Sequence, residues 1–216
     1  MTNDHEAELQ RRLALLTHPK SEKRCSAARW LHKHPEPRAG AALAAALREE
    51  LRDTRTWETQ HHLLLALGVC GGAQALPLLR DLDLRSRVAM VPYALGEALL
   101  RCEIAAGVAV DDAVRGVLDR GPQAAIEGMV RAVAQLKLVP SRDLRSRIIE
   151  NAIAIGAQYI ERRHVVVAAS AWPREEVEPY LRSLPSDPNR TLTALTNLVL
   201  ANDTRGIAKY VRAMYR

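Results

Sequence analysis

Residues 56–82 read TWETQHHLLLALGVCGGAQALPLLRDL. The first half is one long apolar segment of a length natural for a helix and too long for a strand. Gly71-Gly72 breaks it. Ala75-Leu76-Pro77 then opens a second helix. The stretch therefore reads as a helical hairpin. Leu67 is expected to fill the seam between two helices. Ala66 and Gly68 are small enough to let the next helix approach, and Gly68 is also placed to end its own helix.

The same helical period extends in both directions. Leu9, Leu13 and Leu16 share a face, as do Leu43, Leu47 and Leu51. Ala94 with Ala98, Val114 with Val117 and Leu118, and Met129 with Val130, Val133 and Leu136 continue it. Short breakers separate the segments: His18-Pro19, His34-Pro35, Gly121-Pro122, Pro140-Ser141, Trp172-Pro173 and residues 185–189. Gly-Pro and Trp-Pro put Pro near a first helical position, where its missing N–H is not needed. The β-branched run Val165-Val166-Val167 lies inside a helical frame over 158–171 and reads as helix.

The segments fall into pairs. First helices are expected to begin near Ser21, Thr54, Arg85, Gly121, Ala157 and Asn189, roughly 31–36 residues apart. Second helices are expected near Pro37, Gly72, Val110, Ser141, Pro173 and Asp203, with residues 4–17 as an extra cap. A near-constant interval predicts an all-α solenoid, a superhelix of about six helical hairpins plus an N-terminal cap helix, in one domain over 1–216.

Residues 56–82 resemble a HEAT repeat of the short type found in phycobilisome-lyase-like proteins. The resemblance rests on Ala66-Leu67-Gly68, Gly71-Gly72 and Ala75-Leu76-Pro77-Leu78-Leu79. Residues 22–51 are similar through Arg24, Ala27-Ala28, Trp30-Leu31, Pro35, Pro37-Arg38 and Leu43, without the Ala-Leu-Gly element. Ala94-Leu95-Gly96 repeats that element. Beyond about residue 120 only helix spacing and small residues continue the pattern. HEAT-like deoxyhypusine hydroxylases carry several His-Glu pairs; this chain has one, His5-Glu6, so that activity is not implied.

Composition bounds the rest. The chain has 216 residues, 48% of them hydrophobic and only 4% aromatic, with no Phe. Leu, Ala and Val must build the core, which argues against a β-sandwich. The net charge is +6, and the basic residues are interleaved with acids as on solvated helix faces. Cys25, Cys70 and Cys102 are odd in number and far apart, so buried free thiols in a reducing cytoplasm are expected rather than disulfides or zinc. The N-terminus has no apolar core of a secretory signal, and no apolar run is long enough to span a membrane.

No catalytic motif is present: there is no G-x-S-x-G, phosphate loop or dinucleotide fingerprint. Glu58-x-x-His61 and Glu161-x-x-His164 each share a helix face but lie three hairpins apart, so no metal site is expected. His32-x-His34 suits a helix C-terminus. No cofactor is implied, and an enzyme is disfavoured. The residues singled out for partner contact are Arg48, Arg52, Arg55, Trp57, Arg80, Arg115, Arg142, Arg145, Arg182, Lys209 and Arg212. Most would stand on second helices, which line the concave face of such stacks, and acids accompany them. Mixed charge suits another protein better than a phosphate backbone. The expected function is non-enzymatic protein binding, as a scaffold, adaptor or immunity-type partner in a bacterial cytoplasm. The alternative is DNA binding, by resemblance in length and composition to HEAT-like alkylpurine DNA glycosylases, whose tryptophan and aspartate motifs have no matching positions here.

Overall fold

The Trp57–Cys70 helix, α4 below, is buried on nearly every side. It belongs to a computed structural model that describes residues 3–82, 88–154, 161–184 and 191–214. Among these residues there are thirteen α-helices and no strand. In chain order they are α1 (Asn3–Leu15), α2 (Ser21–Lys33), α3 (Gly40–Glu50), α4 (Trp57–Cys70), α5 (Leu76–Asp81), α6 (Met90–Ala105) and α7 (Val110–Arg120). They continue with α8 (Gln123–Leu136), α9 (Arg142–Ala154), α10 (Glu161–Ala169), α11 (Arg174–Ser183), α12 (Thr191–Leu200) and α13 (Thr204–Met214). The helix starts expected near Ser21, Val110, Ser141, Pro173 and Asp203 fall on or next to observed ones. Near Pro37, Thr54 and Gly72 a turn of 3-10 helix precedes the α-helix. The starts expected at Arg85, Ala157 and Asn189, and the breaker at 185–189, lie outside the described residues. Val165-Val166-Val167 is helical, within α10.

The chain divides into two compact units, Met1–Met129 and Val130–Arg216. In the first, α2, α4 and α6 pack in series. Around this row α1 lies on α2, α3 on α4, and α5 and α7 on α6. Leu31, Leu43, Leu47, Leu63, Leu64, Leu67 and Leu79 are fully buried among them, and an aromatic-poor core is filled as its composition requires.

Glycine sets the spacing of the row. A Cβ on Gly68 would stand 2.8 Å from the Ala98 Cα of α6. A Cβ on Gly96 would strike the Ala125 carbonyl of α8, and one on Gly128 the Tyr93 carbonyl of α6. These helices touch backbone to backbone. Gly68 serves this contact and does not end α4, which runs on to Cys70. The turn is made instead by Gly72, whose φ of +53° is left-handed.

A buried ion pair closes the first hairpin. Arg24 of α2 meets Glu50 at the end of α3 at 2.6 Å, and its guanidinium also donates to the Pro19 carbonyl at 3.1 Å. Glu50 is 1% exposed. The cap helix α1 is held by Arg12 over the Trp30 ring at 5.9 Å and by Glu6 on Arg38 at 2.8 Å.

In the second unit α10 packs against α9, α11 and α12, and α13 lies on α12. Residues 165–169 are all buried. Trp172 is buried too, its indole N–H donating to the Leu138 carbonyl at 2.9 Å.

Candidate interaction surface

An open cleft of about 400 Å³ lies between α5, α6 and α7 of the first unit, within the usual range of ligand sites, roughly 300–1,000 Å³. Its apolar lining is Leu79 and Leu82 from the α5 end, Leu99 from α6 and Val117 from α7. Charge sits beside it. Arg80 reaches Glu103 of α6 at 3.0 Å. Arg120 donates from Nε to the Gly116 carbonyl at 3.1 Å and has no carboxylate partner among the described residues.

Local sequence explains the opening. Helix α5 is only six residues long, with Pro77 in its first turn. Helix α7 carries Gly116 at the wall, where a side chain would stand, and Arg120 one turn further on. Asp111 and Asp112 in its first turn and Arg120 in its last complement the helix dipole.

The residues singled out from sequence fall into distinct places. Arg48 is exposed on α3, Arg80 on α5, Arg115 on α7, Arg142 on α9 and Arg182 on α11, with Lys209 and Arg212 exposed on α13. Arg52, Arg55 and Trp57 instead occupy the α3–α4 connection and the start of α4, with Trp57 38% exposed. Arg145 does not reach the surface: it is 8% exposed, bonded to Glu176 at 2.6 Å and to the Pro140 carbonyl. Several exposed arginines already hold an acid. Arg52 pairs with Glu49, Arg55 with Asp53, Arg115 with Asp112 and Arg182 with Glu178. Asp53 is held down to about 2 by its bonds to Arg55. The cleft brings together only Arg80 from the expected set. Glu103 and Arg120 were not anticipated; the one sequence signal was Gly116 in mid-helix, four residues before an arginine.

The histidines and cysteines are also sorted by packing. His61 Nδ1 donates to the Met90 carbonyl at 2.7 Å and His34 Nδ1 to the Trp30 carbonyl at 3.0 Å. His164 is buried on α10, and burial holds it down to about 3; the side chain of Glu161 lies outside the described set. The three cysteines are free and buried. Burial pushes the Cys102 thiol up to about 12 and raises Cys25 and Cys70 as well. None is a ready thiolate nucleophile. Cys70 and Cys102 direct their thiols to the Leu31 and Leu67 carbonyls, each at 3.8 Å. Cys25 differs: its sulfur, a Glu58 carboxylate oxygen and a His62 ring nitrogen all lie within 4.8 Å of one another.

Among the described residues no helix is long and apolar enough to cross a membrane. No protein-family model matches the chain, and no curated protein matches it.

Proposed function

We propose that the chain is a non-enzymatic protein-binding module, a HEAT-like stack of about six helical hairpins with an N-terminal cap, acting as a scaffold, adaptor or immunity-type partner. The observation that carries this reading is the cleft between α5, α6 and α7. An apolar lining beside Arg120, which has no acidic partner among the described residues, suits an apolar anchor carrying an acidic neighbour on another protein. Arginines next to well-packed apolar pockets are where interface energy concentrates. The serial packing of α2, α4 and α6, with α3, α5 and α7 beside them, supports a hairpin stack over the first unit. The pairing of Arg52, Arg55, Arg80, Arg115 and Arg182 with carboxylates favours a protein partner over a nucleic-acid backbone, which calls for uncompensated cations.

The test starts from a partner captured from the source cell and then purified. Arg120→Glu should weaken its binding by at least about thirtyfold, as loss of an interface hot spot of ≥2 kcal/mol does, while the melting temperature falls by no more than about 2–4 °C from the lost helix-dipole contact. Partner affinity insensitive to Arg120→Glu, Arg80→Gln and Arg48→Glu together would place the contact elsewhere. Duplex DNA binding with a steep loss on adding salt would favour the glycosylase-like alternative.

A further inference from the structure

Two adjacent helices each present a pair of side chains one turn apart. Helix α2 presents Cys25 and Arg29, and α4 presents Glu58 and His62. Because α2 and α4 are packed together, the four meet face to face. We propose that Cys25, Glu58 and His62 bind one borderline-soft divalent cation of the zinc type.

The geometry is close to what such an ion needs. The three donor atoms lie within 4.8 Å of one another. Tetrahedral coordination with bonds of about 2.0–2.3 Å places donors about 3.3–3.8 Å apart. Contraction by about 1 Å is within the reach of side-chain rotation, and Glu58, 56% exposed, has the freedom to supply it. Cys25 and His62 are held more firmly by packing. Thiol, imidazole and carboxylate together select zinc, cobalt or copper over magnesium or calcium.

Proton chemistry is compatible. In its neutral form the His62 ring keeps a free lone pair on one nitrogen. The Cys25 thiol must lose its proton to the solvent as the sulfur–metal bond forms. Three protein ligands would leave a fourth position open for water. The arrangement does not suit a Cys-His-Glu proton relay, because there the carboxylate orients the imidazole from the side away from the thiol, whereas here all three donors converge.

The partner residue is as important as the spacing. Glu58 and His61 share a helix face, as their spacing predicts, but His61 is committed to the Met90 carbonyl. His62, four residues from Glu58, is the one that faces Cys25. Arg29 opposes the cation: it ion-pairs with Glu58 and is itself 54% exposed. It must release Glu58 for the ion to bind.

The full chain, reduced and untagged, is titrated with Co²⁺. A thiolate-to-cobalt charge-transfer band should grow to one equivalent and disappear when Zn²⁺ is added. Cys25→Ser should abolish the band. His62→Ala should weaken binding by more than about tenfold, the scale of losing even a supporting group around a metal. Arg29→Ala should tighten it about two- to fivefold, because an exposed ion pair no longer competes for Glu58. Should the ligand variants fold poorly, the natural chain suffices: Zn²⁺ should slow alkylation of Cys25 while leaving Cys70 and Cys102 unaffected. No charge-transfer band at one equivalent, a band retained by Cys25→Ser, or alkylation of Cys25 indifferent to Zn²⁺ would each overturn the site.

Discussion

Changing two helical glycines to alanine should move stability in opposite directions. Gly116 and Gly128 both lie inside helices with ordinary backbone angles. Alanine in a helix interior is favoured over glycine by about 0.8–1 kcal/mol. At Gly116 the nearest atom a new Cβ would meet is the tip of the flexible Arg120 side chain, at 3.2 Å. The gain should survive there, raising the melting temperature by about 2–4 °C for a chain of this size. At Gly128 the new Cβ would land on the Tyr93 carbonyl oxygen, 2.7 Å from its carbon and 3.2 Å from the Glu97 nitrogen. All three are backbone atoms of α6, and none can rotate away. Helices α6 and α8 must part, and overpacking of this kind costs about 3 kcal/mol at its upper end. After the propensity gain, Gly128→Ala should lose about 2 kcal/mol, or about 4–8 °C. Thermal melts and urea titrations of both variants supply the readout. A Gly128→Ala protein as stable as the original would refute the backbone-to-backbone packing of α6 and α8.

Other perturbations probe the remaining parts. Arg24→Ala strands the Glu50 carboxylate, 1% exposed, and should cost about 3–5 kcal/mol in urea denaturation; joint replacement of Arg24 and Glu50 by apolar residues should recover most of it. Ala66→Leu should overpack the contact of α4 with its neighbours and cost about 1–3 kcal/mol, read from the same transition. His164 titrates near 6.5 when unfolded and about 3 when folded. The unfolded chain therefore binds the extra proton, and stability must fall as pH drops below about 6.5. Between pH 7 and pH 5 this residue alone should remove about 2 kcal/mol, and His164→Gln should flatten that part of a stability-against-pH curve; an unchanged curve would show that the ring is hydrated.

Helix positions were legible because proline, glycine and apolar spacing are local signals. Pro173 and the acidic pair after it announced α11, and Ala109-Val110 opened α7 where the period began. Ala66 and Leu67 were legible as core positions for the same reason, and both are fully buried. What escaped depended on helices distant in sequence. Arg145 looks like every other arginine flanked by acids, and only the approach of α11 turns it into a buried pair with Glu176. The choice between His61 and His62 turns on about 100° of helix rotation relative to α2, which carries Cys25. The cleft depends on a short α5 beside a glycine in α7, and no pattern within either segment reveals that combination.

The most direct measurement of the binding account is hydrogen exchange on the chain with and without its purified partner. Protection concentrated on α5 and α7, around Arg80 and Arg120, is the predicted result. Protection confined to α2 and α4, with α5 and α7 exchanging as in the free chain, would contradict it.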